Sequence, residues 1–112
     1  MNAMTRALLN LQTLEFEPQP PVRRRKRAKA VVPRIQRLRS RVSAQVLREY
    51  DFRKRRYGAR SLVPIRKDSC TGCQVRLSLR TRRRALDRVT ECEHCARLLY
   101  NPSRRRRLVM EI

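Results

Sequence analysis

Residues 70–73 read CTGC and residues 92–95 read CEHC, so two Cys-x-x-Cys pairs are separated by eighteen residues. Each pair allows a tight turn to direct two sulfur atoms at a common point about 2.3 Å away, and two such turns complete a tetrahedron. This spacing is typical of a zinc site, and it predicts that one Zn²⁺ ion is bound by Cys70, Cys73, Cys92 and Cys95. Because sulfur would fill all four positions around the metal, we expect the zinc to be structural and not catalytic.

Other uses of these cysteines fit the sequence less well. A thioredoxin-like redox pair requires a βαβ context, which the sequence does not offer. Paired disulfides would suit a secreted domain, but the first twenty residues lack the apolar run of a signal peptide. His94 lies inside the second pair and is the alternative ligand, but its neighbours already supply sulfur. We therefore expect His94 to be a surface residue.

The charge of the chain indicates an anionic partner. Thirty Lys and Arg residues stand against nine Asp and Glu among 112 residues, which gives a formal net charge of +21, and 26 of the thirty are arginine. The arginine side chain binds phosphate through two hydrogen bonds and stacks on bases, so this excess favours contact with nucleic acid. The alternative is a genome rich in G and C, which raises the arginine content of solvated surfaces without any binding function.

The N-terminal part, residues 1–32, is predicted to be a short helix, a Pro-rich linker and a basic arm. Residues 3–15 carry alanine and leucine at helical spacing, and three prolines within residues 18–21 end that helix. The basic block at residues 23–27 is expected to be flexible in the free protein, because its like charges repel one another and no apolar residue separates them.

Residues 33–60 predict a basic amphipathic helix or a pair of helices. Ser43 can cap a second helix, and Gly58 can end it. One apolar stripe recurs every three or four residues and contains Ile35, Leu38, Val42, Val46 and Tyr50. This stripe is expected to pack on the leucine face of the first helix. Docking of the stripe onto a second copy of the chain or onto a partner protein is the alternative.

Residues 61–103 form the predicted metal module, and residues 104–112 form a basic and apolar tail. Residues 62–65 predict an extended segment, and alternating polarity over residues 75–79 predicts a strand. Ser78 can cap a short helix, a last strand follows at residues 96–100, and Gly72 is expected to supply a positive φ in the first turn. The predicted fold class is therefore small α+β, an N-terminal helical arm followed by a C-terminal three-stranded zinc ribbon.

The basic residues predicted to contact nucleic acid lie in the arm, the ribbon and the tail. They are Arg23, Arg24, Arg25, Lys26, Arg27, Arg82, Arg83, Arg84, Arg104, Arg105, Arg106 and Arg107. Their contacts would go mainly to phosphate, so the function indicated is binding of RNA or DNA backbone with low sequence specificity. The chain has one histidine, no Ser/His/Asp set and no Gly-rich phosphate loop, and we do not expect an enzyme. The absence of an apolar span or secretion signal favours a cytoplasmic location with no membrane contact.

Residues 35–100 resemble the bacterial C4-type zinc-ribbon proteins, which carry a helical hairpin before the ribbon. The matching segments are SLVPI at residues 61–65, CTGC at the first cysteine pair and CEHCARLLY at residues 92–100. The resemblance implies a structural zinc and a role in binding nucleic acid, or as an adaptor that contacts transcription or secretion machinery. Two departures are visible. Ala96 stands where the family usually has glycine, and the long coiled-coil hairpin of the family is nearly absent.

Overall fold

The chain folds into helices followed by a four-stranded mixed sheet, a small α+β architecture. The computed structural model describes residues 2–16 and 24–102, with side chains described from residue 30 onward in the second range. The elements are helices α1 (Ala3–Phe16), α2 (Arg24–Ser40) and α3 (Ala44–Tyr57), a 3-10 turn (Gly58–Arg60), strands β1 (Leu62–Arg66) and β2 (Ser69–Cys70), helix α4 (Leu79–Arg84), and strands β3 (Thr90–Glu91) and β4 (Leu98–Tyr100).

Helix α1 forms where the leucine spacing predicts it. The side-chain oxygen of Asn2 accepts a hydrogen bond from the backbone N–H of Thr5 at 2.7 Å, which satisfies one of the free donors at the start of the helix. Leu8 and Leu11 are fully buried. The first helix of the arm is therefore confirmed.

Helix α2 begins earlier than the sequence pattern predicts. Residues 24–27 are helical, so the prediction of a flexible basic arm is wrong for this segment. Arginine and lysine are good helix formers, and this propensity outweighs the repulsion between their charges. Pro33 lies inside the helix and not at its start, at the cost of one backbone hydrogen bond.

The two predicted ends of α3 are confirmed. The hydroxyl of Ser43 accepts a hydrogen bond from the N–H of Val46 at the N-terminus. At the C-terminus, Gly58 has φ 54° and its N–H donates to the carbonyl of Lys54. Glycine adopts this conformation without steric cost. The second part of the arm is thus a pair of helices separated at Ser43.

The apolar stripe of α2 and α3 is covered within the chain. Val42 and Tyr50 are buried in one cluster with the leucine face of α1 and with Leu62 and Leu98 of the sheet. The Tyr50 hydroxyl donates to Glu15 at 2.7 Å, which links α3 to α1. The predicted intramolecular packing is confirmed, with Val42 and Tyr50 buried and Ile35, Leu38 and Val46 packed against the same cluster while half-buried.

The sheet has the strand order β2-β1-β4-β3. Strands β1 and β4 are parallel, while β2 and β3 each pair with a neighbour in the antiparallel sense. Lys67 and Asp68 form the two-residue turn between β1 and β2, and both have positive φ angles, as expected for a turn that follows the twist of a hairpin. The predicted three-stranded ribbon is not confirmed, because four strands form one mixed sheet.

The strand predicted over residues 75–79 is wrong. Only an isolated bridge between Ser69 and Arg76 forms there, and the Ser78 hydroxyl accepts from Thr81 and starts α4. Val75 and Leu79 remain 40% and 51% exposed, whereas Leu77 is buried. The alternating pattern correctly predicted that Leu77 is buried. The extended segment is too short to form a strand, because Ser78 caps a helix directly after it.

A second, smaller core lies around the cysteines. It joins Val63, Ile65, Leu77, Ala85 and Leu99 to the side chains of Cys70 and Cys92. Within the two described ranges, no helix combines the length and the apolar character that crossing a membrane requires.

Candidate metal centre

The first cysteine pair lies in a turn at the end of β2. The N–H of Gln74 donates to the carbonyl of Cys70 at 2.8 Å, and the N–H of Cys70 donates to the carbonyl of Val75 at 3.1 Å. The N–H of Gly72 is directed at the sulfur of Cys70, at 3.3 Å. The backbone thus both closes the turn and supplies a donor that stabilises a thiolate.

The second cysteine pair repeats this arrangement. The N–H of Ala96 donates to the carbonyl of Cys92 at 3.1 Å, and the N–H of Cys92 donates to the carbonyl of Arg97 at 2.7 Å. The N–H of His94 is directed at the sulfur of Cys92, at 3.4 Å. Two equivalent turns, one at the end of β2 and one between β3 and β4, therefore face each other.

The four cysteine sulfurs form a cluster that fits a tetrahedral metal ion. Cys70 Sγ and Cys95 Sγ are 3.8 Å apart, as are Cys73 Sγ and Cys92 Sγ, and all four lie within 4.8 Å of one another. A tetrahedron with metal–sulfur bonds of about 2.3 Å has edges of about 3.8 Å. The structure thus brings together the four cysteines that the sequence predicts as ligands. Such a thiolate set suits zinc.

The cysteine environment couples metal binding to proton release. Burial raises the pKa of the Cys70 thiol to about 12 and also raises the pKa of Cys92. Burial acts in the same sense on Cys95, but hydrogen bonds from the backbone and side chain of Arg97 outweigh it and lower the pKa of Cys95 to about 7. Thiols with a raised pKa keep their protons until a cation replaces them. The affinity for a metal at this site therefore rises with pH.

His94 is not part of the sulfur cluster. Its side chain is exposed, and Nε2 lies 3.3 Å from the carbonyl oxygen of Arg76. The expectation of a surface histidine is therefore confirmed.

The left-handed residues of the two turns are Gln74 and Ala96, with φ angles of 65° and 67°. The prediction of a positive φ at Gly72 is wrong, since Gly58 is the glycine with a positive φ in the described part of the chain. Gly72 provides space instead, because a β carbon there would lie 2.5 Å from Cδ of Arg97. Ala96, where the resembling family usually has glycine, therefore occupies a conformation that favours glycine.

We expect Ala96→Gly to stabilise the metal-loaded protein by about 1 kcal/mol, because glycine reaches a positive φ without the steric cost of a β carbon. Thermal unfolding followed by circular dichroism would measure the change. Ala85→Gly is the matched control, since Ala85 has φ −70° and glycine there should destabilise the fold. A lower unfolding temperature for Ala96→Gly than for the unchanged protein would contradict this account.

Side chains outside the cysteine motifs hold the second turn in place. The Arg97 guanidinium lies over the Tyr57 ring, 4.0 Å from its centroid, and Arg97 Nε donates to the carbonyl of Arg60 at 3.1 Å. The Tyr57 hydroxyl donates to the carbonyl of Cys95 at 2.5 Å. Sequence reasoning missed these contacts, because Tyr57 and Cys95 are far apart in the chain.

Arg53 connects α3 to the same turn. Its side chain is buried, its Nε donates to the carbonyl of Ala96, and Nη2 lies 2.9 Å from a carboxylate oxygen of Glu91. A second ion pair joins Arg53 to Glu49, one helical turn earlier, at 2.6 Å. Arg53 therefore docks the helical arm onto the second cysteine turn.

The arginines predicted to bind nucleic acid are described in part. Arg83 and Arg84 are exposed on α4, while Arg82 is half-buried and pairs with Asp68 at 3.2 Å. Arg82 therefore has an internal partner. Arg23 and residues 104–107 lie outside the described residues, as do the side chains of residues 24–27.

No protein-family model and no curated protein matches the sequence. Solved structures with a similar fold include the CT398 protein from Chlamydia trachomatis, at a TM-score of 0.60 and 23% identity, and the HP0958 protein from Helicobacter pylori, at 0.61 and 22%. They match 69% and 70% of this chain, which spans 34% of the length of each. At this identity the similarity establishes a shared fold.

Proposed function

We propose that this chain is a zinc-stabilised nucleic-acid-binding module that holds single strands on the outer face of α3 with low sequence specificity. The observation that carries the proposal is Phe52, which is 74% exposed on a helix face that is basic apart from Glu49, whose carboxylate pairs with Arg53. A large apolar ring gains nothing from exposure to water. Its placement is instead what a stacking platform for bases requires.

Arginines surround this ring. Arg48, Arg55 and Arg56 are four residues before, three after and four after Phe52, so they neighbour it on the same helix face. All three are exposed. A strand whose base stacks on Phe52 would keep its phosphates within reach of these guanidinium groups, and the arginines could also stack on neighbouring bases.

The charge of this face is not neutralised within the fold. Across residues 2–16 and 30–102, Arg48, Arg55 and Arg56 form no ion pair with a carboxylate. The acidic side chains that pair with Lys or Arg in these ranges are Glu15, Glu49, Asp51, Asp68 and Glu91. Most acidic side chains in these ranges are therefore paired within the fold. The arginines on the outer face of α3 keep their positive charge, which attracts a polyanion.

Zinc would serve this module as a structural element. Bound by Cys70, Cys73, Cys92 and Cys95, it would supply a rigid cross-link between the two cysteine turns. Arg53 and Tyr57 then connect the second turn to α3, so a fixed metal centre also fixes the proposed binding helix. We propose a cytoplasmic, non-enzymatic role, because four metal-binding cysteines without disulfide bonds suit a reducing compartment.

Fluorescence anisotropy with a labelled single-stranded RNA of mixed sequence tests the proposal. We expect Phe52→Ala to weaken binding by about 5- to 150-fold, the range for loss of one stacked base. The affinity should also fall steeply with salt, because phosphate contacts release counterions. A single-stranded DNA of the same sequence measures any preference for RNA.

Two matched variants make the result specific. Phe52→Leu keeps an apolar side chain but removes the ring, and it should behave like Phe52→Ala. Leu79→Ala removes another exposed apolar side chain, on α4, and should leave binding unchanged. Equal affinities for the unchanged protein and Phe52→Ala, or binding that does not vary with salt, would refute the proposed function.

A further inference from the structure

A basic cleft lies between α1 and α2, on a part of the molecule that the proposed strand-binding face does not use. The cleft is open to solvent, has a volume of about 690 Å³ and is lined by Asn10, Thr13, Leu14, Arg34, Arg37, Leu38 and Arg41. Clefts that bind small molecules enclose about 300–1,000 Å³. The volume therefore suits a ligand the size of a nucleotide.

Three arginines form one wall of the cleft. Arg34, Arg37 and Arg41 follow one another at three and four residues along α2, so their side chains leave the same helix face over a distance of about 10 Å. All three are exposed, and none of them forms an ion pair with a carboxylate in the described ranges. Among the described residues, none that lines the cleft carries a carboxylate either. Three unpaired guanidinium groups along one wall match a ligand that carries several phosphates.

The remaining lining residues suit the other end of such a ligand. Leu14 and Leu38 are half-buried and offer an apolar surface to a flat ring. The Asn10 side chain can donate and accept hydrogen bonds. Thr13 donates its hydroxyl proton to the carbonyl of Leu9 at 3.0 Å and keeps its oxygen as an acceptor. A purely inorganic anion would use the arginines but leave this apolar and amide surface unused.

We propose that the α1–α2 cleft binds a free nucleoside triphosphate, with the phosphates on Arg34, Arg37 and Arg41 and the base against Leu14 and Leu38. The site is separate from the Phe52 face, so it can exist whether or not the chain binds nucleic acid. It would let the protein respond to the supply of nucleotides.

Isothermal titration calorimetry with ATP, on the metal-loaded full chain, tests the cleft. A variant with Arg34, Arg37 and Arg41 all changed to Gln should bind ATP at least about a hundredfold more weakly, since each lost charge-assisted hydrogen bond costs about tenfold. The control changes Arg48, Arg55 and Arg56 on α3 to Gln. It removes the same charge and should leave ATP affinity within about threefold, because those exposed residues lie on α3 and do not line the cleft.

Four results would overturn the proposal. They are no heat of ATP binding to the unchanged protein, an equal loss of affinity in the two triple variants, binding of inorganic triphosphate as tightly as ATP, and displacement of ATP by an oligonucleotide without terminal phosphates. An equal loss in the two triple variants would indicate general charge attraction. Equally tight binding of inorganic triphosphate would exclude a role for the base. Because the substituted arginines are exposed and have no described ion pair, both variants should unfold at the same temperature as the unchanged protein.

Discussion

Removal of the metal with a strong chelator is expected to unfold the sheet and α4, and the loss should amount to about 10–16 kcal/mol of apparent stability near neutral pH. Two of the four strands contain two residues each, and the core around the cysteines is small. Cys70 and Cys92 belong to that core, so the metal would tie together the elements that pack on it. Without this cross-link, the apolar burial in so small a sheet does not offset the entropy of ordering it.

Circular dichroism and metal release into a chromophoric chelator would be measured on one sample, to show that loss of structure follows loss of metal. A variant with all four cysteines changed to Ser is the control, and the chelator should not alter its spectrum. Adding zinc back to the stripped protein should restore the original spectrum. A stripped protein that keeps its spectrum and its unfolding temperature would refute a structural metal at this site.

The parts of the fold that the sequence predicted correctly are set by local chemistry. Each cysteine pair forms the predicted turn because the backbone hydrogen bonds that close it join residues no more than five positions apart. Ser43, Ser78 and Gly58 define helix ends for the same reason, since a cap bonds to the backbone within one helical turn.

The errors arise where two local rules compete. Over residues 24–27, charge repulsion predicted disorder while the helix propensity of arginine and lysine favoured a helix, and the helix forms. At residues 75–79, alternating polarity predicted a strand while Ser78 favoured a helix start, and the cap determines the structure. When a sequence pattern is compatible with two kinds of secondary structure, packing against the neighbouring segments decides which one forms, and the local pattern does not contain that information.

The contacts that no sequence pattern could supply are those between distant segments. Arg53 and Tyr57 belong to a helix whose many basic residues indicate exposure to solvent. They nevertheless donate hydrogen bonds to the backbone carbonyls of Ala96 and Cys95 in the second cysteine turn. Which exposed arginines have internal partners likewise depends on the fold. Arg82 pairs with Asp68, while its neighbours Arg83 and Arg84 remain exposed.

Gln12→Ala is expected to destabilise the junction between the helical arm and the sheet by about 3 kcal/mol. The Gln12 amide nitrogen donates to the carbonyl of Leu62 at 2.9 Å, and its oxygen accepts the N–H of Leu62 at 2.8 Å. Both bonds are buried, so alanine would leave two backbone groups of β1 without partners, at about 1–3 kcal/mol each. Denaturant unfolding of the metal-loaded protein would measure the loss.

Thr13→Ala is the matched control for this junction. Its hydroxyl bonds to its own helix at an exposed position, so its removal should change stability by less than about 0.5 kcal/mol. If Gln12→Ala cost no more than Thr13→Ala, the two bonds to Leu62 would contribute nothing net to stability, and the junction would depend on apolar packing alone. A large loss would instead mean that one polar side chain in α1, fifty residues before its partner, joins the arm and the sheet into one cooperative unit.

Gln12 follows Leu11 on the buried face of the first helix. A lone amide on an apolar face was therefore the sequence signal for this contact, because a buried polar group must find a partner elsewhere in the fold.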